Sequence, residues 1–122
     1  MISREGEEEV SSKTDEIPFE IQVEDLKAWL GDGREVTVID VREPHEAEIC
    51  KIDAARLIPM NEVPDRLDDL DRNALIVAHC HHGARSARVV QYLRQQGFDK
   101  ATNLAGGINA WSLRIDPAVP RY

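Results

Sequence analysis

The sequence predicts an α/β fold, a parallel sheet of about five strands with helices on both faces. Two observations lead there. From residue 19 onward, short apolar runs rich in branched residues alternate with stretches whose apolar residues recur at helical spacing. One of the strand-to-helix junctions, over residues 74–96, is closed by a very short turn bearing Cys80 and Gly83. The chain's 122 residues suffice for one domain with its own core.

Residues 1–16 stand apart. They hold two basic and six acidic residues, half of the chain's net charge of −8, and few apolar ones. They are expected to form an acidic disordered tail, with a single domain over residues 17–122. The acidic balance argues against nucleic acid as a main partner. No stretch is apolar and long enough to span a membrane, and no signal peptide is visible. Two cysteines give no disulfide framework, so a cytoplasmic location is expected, where thiols stay reduced.

The elements then follow in order. Residues 19–21 read as a short edge strand. Val23, Leu26 and Leu30 mark a helix with acidic residues early and Gly31 as its stop, Trp29 being a packing residue. Residues 36–41 form an apolar strand interrupted near its end by Asp40. In an open parallel sheet the C-terminal ends of strands line the ligand crevice, so Asp40 and Cys80 are expected as neighbours there. Asp40 reads as a carboxylate tying a loop, and Arg42 as its partner or that of Glu43 or a substrate. Residues 44–52 should be a short helix opened by Pro44, with His45 on its surface and Cys50 structural. Residues 55–58 read as a strand ended by Pro59, and residues 62–70 as a helix with Val63, Leu67 and Leu70 inward. After the central strand (74–78) and helix (86–96), Gly97 is a stop. Residues 100–104 give the last strand, and Gly106-Gly107 turns into a helix anchored by Trp111.

The turn after residue 78 carries the chemistry. A strand feeding a helix through so short a loop aims successive N–H groups into one concavity, to which the helix adds its unpaired donors and positive dipole end. Cys80 sits there, and its thiol should ionise more easily than a free one, whose pKa is about 8.5. The bland alternative is a cysteine filling the core at a strand end. Gly83, Arg85 and Ser86, the last as a helix cap, favour the reactive reading. A metal site is the other rival, since His79, Cys80, His81 and His82 are all ligand types. Four adjacent residues do not readily wrap a tetrahedral ion, however, and no second Cys/His pair stands elsewhere, so neither metal nor cofactor is expected.

The turn Cys80-His81-His82-Gly83-Ala84-Arg85-Ser86 resembles the active-site loop of rhodanese-type sulfurtransferases. Other landmarks of that family recur in order over roughly residues 19–122: Val38-Ile39-Asp40-Val41-Arg42-Glu43-Pro44, then Ala54-Ala55-Arg56-Leu57-Ile58-Pro59, then Asn103-Leu104-Ala105-Gly106-Gly107-Ile108-Asn109-Ala110-Trp111. The tail Ile115-Asp116-Pro117-Ala118-Val119-Pro120-Arg121-Tyr122, with residues 46–52, is most similar to the C-terminal domain of adenylating enzymes that activate ubiquitin-like sulfur-carrier proteins. Cys50 and Lys51 depart from the Gly and His frequent in the family, and Asp53 or Ala54 stands where many members have Gly.

The resemblance implies a rhodanese-like three-layer fold and a sulfurtransferase. Cys80 would take sulfur from a small donor such as thiosulfate or a persulfide and pass it to cyanide, a thiol or a sulfur-carrier protein. It implies a binding loop of His81, His82, Gly83, Ala84, Arg85 and Ser86, supported structurally by Asp40 and Arg42. The two histidines meet the donor or are simply solvated; neither is placed as a general base. Two rivals remain. A silent binding module would keep the fold without the chemistry. A phosphatase or arsenate reductase also uses a Cys turn ending in Arg, but those loops are longer between Cys and Arg than the stretch His81 to Ala84 here.

Overall fold

The computed structural model describes residues 16–122; the acidic stretch over 1–16 lies, but for Glu16, outside them. The strands are β1 (Glu20–Ile21), β2 (Thr37–Asp40), β3 (Ala55–Leu57), β4 (Ile76–His79) and β5 (Ala101–Leu104). They form one sheet in the order β1-β5-β4-β2-β3, every pair parallel. The helices are α1 (Val23–Gly31), α2 (Pro44–Ile49), α3 (Ala84–Gln95) and α4 (Gly107–Arg114), with a 3-10 segment over Met60–Asp69.

Period-two alternation along the strands builds two cores. Ile39, Ile76, Ala78 and Ala101 face one side with Val63 of the 3-10 segment, Val89, Val90 and Leu93 of α3, and Phe98. Val38, Val77 and Leu104 face the other, against Val23 and Leu26 of α1 and Ile108 and Trp111 of α4. The predicted sheet and its two covered faces are therefore present, with Trp111 a core anchor.

Three elements differ from expectation. The segment expected as a helix over 62–70 winds as a 3-10 helix because Pro64 lies inside it and has no N–H to give to an α-turn. The helix opened by Pro44 ends at Ile49, and Cys50 turns extended, where its N–H still reaches the Glu46 carbonyl. The helix after the central turn begins at Ala84, so Ser86 lies in its first turn and Gly83, at φ +117°, is the residue before it.

The topology places the site. From β2 the chain moves outward to β3; from β4 it moves the opposite way to β5. The crevice beyond the C-terminal ends of β2 and β4 is where such a sheet receives ligands. Asp40 and His79 are paired across those ends, and Cys80 follows immediately.

Candidate active site

The loop over residues 80–83 is set by two glycines. Gly83 carries a positive φ of +117°, a backbone that side chains resist, and this turns the chain into α3. Gly107 lies against the loop from outside: a Cβ there would come within 2.5 Å of the Cys80 carbonyl oxygen and 2.6 Å of that of His81. The absence of a side chain lets the first turn of α4 approach. The Ile108 and Asn109 N–H groups donate to those two carbonyls at 2.9 and 3.1 Å. With its carbonyls drawn outward to α4, the loop leaves its N–H groups facing inward.

They converge on the sulfur. The Gly83 N–H donates to Cys80 Sγ at 3.1 Å and the Ser86 N–H at 3.4 Å, with the Ser86 hydroxyl at 3.3 Å. Cys80 is 1% exposed. Burial alone pushes its thiol up, and these donors, with the Arg85 N–H, outweigh it and bring the pKa below the ordinary value. Sulfur here takes the place of the helix-cap acceptor, the role expected of Ser86.

The charged residues form a brace. Arg42, fully buried, gives Nε and Nη2 to the two oxygens of Asp40 at 2.9 and 2.7 Å, and Nη2 also to the Cys50 carbonyl at 2.8 Å. Its Nη1 donates to the Tyr122 hydroxyl at 2.9 Å, which donates to Glu46 Oε2 at 2.8 Å. Glu46 holds Arg85 with both carboxylate oxygens, at 2.7 and 3.0 Å. This bidentate pair keeps the Glu46 carboxyl well below the usual range. Arg85 is thus tied down beside the loop. His81 is sandwiched, its ring 3.8 Å from Tyr122 and 3.9 Å from His82.

Cys80, Gly83, Arg85 and Ser86 lie together at the turn, with Asp40 and Arg42 behind them. His82 and Ala84 stay exposed at the rim. Cys50 is buried beside Arg42, and the described residues contain no His/Cys/Asp/Glu cluster that could hold a metal ion. Sequence reasoning missed Glu46, Tyr122 and Asn103. Glu46 had one visible signal, its place three residues after Glu43 in a capping box, but that says nothing of Arg85. Tyr122 gave no local signal for its approach to the loop.

Comparison with known proteins identifies the family. The family described as Rhodanese-like domain matches residues 22–114. A sulfurtransferase of Allochromatium vinosum is 38% identical over 100 residues, covering 82% of this chain and 94% of that protein. Adenylyltransferase and sulfurtransferase MOCS3-1 of Zea mays is 31% identical over 109 residues, covering 84% of this chain but 23% of that much longer protein. Several of the curated relatives are longer in this way, and the chain spans about a quarter to a third of them. The crystal structure of a rhodanese-like domain protein from Staphylococcus aureus superposes with a TM-score of 0.75 at 35% identity, covering 86% of this chain and 99% of that one. By the family model that matches most of its length and by these likenesses, the chain belongs to the rhodanese-like domain family of sulfurtransferases.

Proposed function

We propose that this chain is itself an active sulfurtransferase working through a persulfide on Cys80. The observation that carries the reading is the convergence of two N–H groups and a hydroxyl on one buried sulfur. The Cys80 thiolate attacks the outer sulfur of thiosulfate; an S–S bond forms, and sulfite leaves with the electrons of the bond that breaks. The persulfide's terminal sulfur is anionic and is stabilised by inward-facing N–H donors. Cyanide or an acceptor thiolate then attacks that outer sulfur, and the Cys80 thiolate is regenerated.

The position of Arg85 speaks against phosphoryl chemistry. A phosphate-cleaving loop needs its arginine free to grip substrate oxygens, and here both terminal nitrogens are engaged by Glu46. The acceptor proposed in addition to small thiols is the activated C-terminus of a ubiquitin-like sulfur-carrier protein, in line with the likeness to MOCS3-1. Among the described residues no helix is long and apolar enough to cross a membrane, and both cysteines are free thiols, which fits work in the reducing cytoplasm.

The test is intact mass after brief exposure to thiosulfate, beside Cys80→Ser. A gain of one sulfur, removed by cyanide and missing from the variant, is expected. A folded protein with reduced Cys80 that gains nothing from thiosulfate or from a small persulfide donor would leave a binding module instead. Transfer to cyanide without transfer to any carrier protein would remove the carrier as acceptor.

A further inference from the structure

Ser86 presents one hydroxyl proton to three acceptors. They are Asn103 Oδ1 at 2.5 Å, Cys80 Sγ at 3.3 Å and the Gly83 carbonyl at 3.3 Å. A hydroxyl has a single proton to give, so these bonds compete. The nearest acceptor is the amide oxygen of Asn103, a residue on β5 that is 1% exposed. The orientation of that amide is fixed by its other end. Nδ2 donates to Glu20 Oε2 at 2.9 Å and to the Gly83 carbonyl at 3.2 Å. Both partners accept only, so the nitrogen must face them and the oxygen must face Ser86. Turning the amide over would set oxygen against oxygen twice.

We propose that Asn103 is a positioning residue for the sulfur chemistry: its amide, locked by Glu20 and Gly83, claims the Ser86 proton and limits how much of that hydroxyl reaches the sulfur of Cys80. The inference rests on the persulfide reading for its importance in turnover, while its geometry is independent of it. The consequence is a balance. A thiolate gripped by every available donor is stable but a poorer nucleophile, since nucleophilicity falls with thiol pKa. With the hydroxyl drawn toward Asn103, the sulfur keeps the fixed backbone donors and receives only part of this additional one. The same restraint applies to the terminal sulfur of the persulfide, which must leave the cradle for the acceptor.

The test is a double-mutant cycle on Cys80 reactivity, which needs no sulfur donor. Alkylation by iodoacetamide is followed against pH in the parent, Asn103→Leu, Ser86→Ala and the double variant. Asn103→Ala, which also removes the acceptor toward Ser86 and adds no charge, is the second variant in case the leucine does not fold. Other charged or titratable groups around Cys80 are unchanged throughout: Arg85 in the loop, His79 and His81 on either side in sequence, the Asp40–Arg42 pair on β2, Glu46 on α2 and Glu20 on β1. Asn103→Leu frees the hydroxyl to turn to the sulfur, so the midpoint of the profile falls by about half a unit or more and the high-pH rate plateau drops. In the Ser86→Ala background the same substitution leaves the midpoint in place, and the midpoint of Asn103→Ala alone falls as that of Asn103→Leu does. An unchanged or raised midpoint in Asn103→Leu and Asn103→Ala, or an equal fall without Ser86, would overturn the proposal. Because the cycle reads the thiol directly, it can fail while sulfur uptake from thiosulfate succeeds, and the reverse.

Discussion

Tyr122 lies flat on His81, ring centroids 3.8 Å apart and planes 4° from parallel. The last residue of the chain thereby contacts the residue after the cysteine. The contact is held from behind, because the Tyr122 hydroxyl accepts from Arg42 and donates to Glu46. Tyr122→Phe keeps the ring on His81 and removes both bonds. The side chain is partly exposed, so water can replace part of what is lost, and a stability loss of about 0.5–1.5 kcal/mol is expected in urea unfolding. Tyr122→Ala removes the stack as well and should be worse in both stability and sulfur transfer. A Tyr122→Ala protein equal to Tyr122→Phe in both would show that the stacking is idle.

Arg42 supports the site from the core. It is fully buried, and it satisfies a buried carboxylate and two backbone carbonyls, those of Glu46 and Cys50. Arg42→Met leaves the Asp40 carboxylate, 2% exposed, without its cation. Breaking a buried pair from one side costs about 3–5 kcal/mol. The paired change Arg42→Met with Asp40→Leu should recover part of that loss. Recovery stays incomplete because the Cys50 carbonyl loses its donor, whereas that of Glu46 keeps the Cys50 N–H. Chemical denaturation of the three variants measures this; a single variant losing less than about 1 kcal/mol would contradict it.

Gly107 tests whether the loop is positioned from outside. In Gly107→Ala the new methyl carbon would meet the Cys80 and His81 carbonyl oxygens at 2.5 and 2.6 Å, on a backbone with φ +58°. The loop or α4 must shift, and the donors of Ile108 and Asn109 shift with it. Destabilisation of about 1–3 kcal/mol is expected from strain and lost bonds. Cys80 alkylation at neutral pH should fall at the same time, as the inward N–H groups lose their aim. Reactivity equal to the parent in a destabilised protein would mean that α4 supports the fold but not the thiol.

These relationships show what was legible in the sequence. The alternation of strands and helices and the short turn after β4 follow from local patterns: the apolar run ending at His79, the glycine that turns the chain, and the helix spacing after it; the order of the strands does not. The partners of Asp40 and Arg42 were narrowed to a few because they sit two residues apart. Glu46 with Arg85, and Tyr122 with His81, join segments far apart in the chain, and no periodicity or turn residue encodes such a meeting. Pro64 was in plain view inside an amphipathic stretch, yet apolar spacing alone reads the same for an α-helix and for the 3-10 segment that a missing N–H imposes. Asn103 reads as one more polar residue on a strand until the glutamate and serine on either side of its amide are known.

His79 makes the pH dependence of folding specific. It is fully buried at the end of β4, and its Nε2 has no hydrogen-bond partner among the described residues. Burial holds its pKa down at about 4, against the attraction of Asp40 and with the repulsion of Arg42. The unfolded chain takes up this proton near pH 6.5, whereas the folded protein resists it until about pH 4. Between those values the unfolded state binds more protons, so stability rises with pH across that window and is lost on acidification through it. At full extent the contribution is about 3 kcal/mol. Asp40 and Glu46, both held below their ordinary values, add a further loss that sets in at lower pH, as their carboxylates are forced to protonate. Urea midpoints between pH 7.5 and 4 should therefore begin to fall near pH 6.5, before carboxylates titrate. In His79→Leu the fall between pH 6.5 and 5 should be much smaller, with only His81 still held below its ordinary value there, first by burial. A parent protein equally stable at pH 7.5 and pH 5 would mean that the buried ring is protonated in the folded state or finds a partner there.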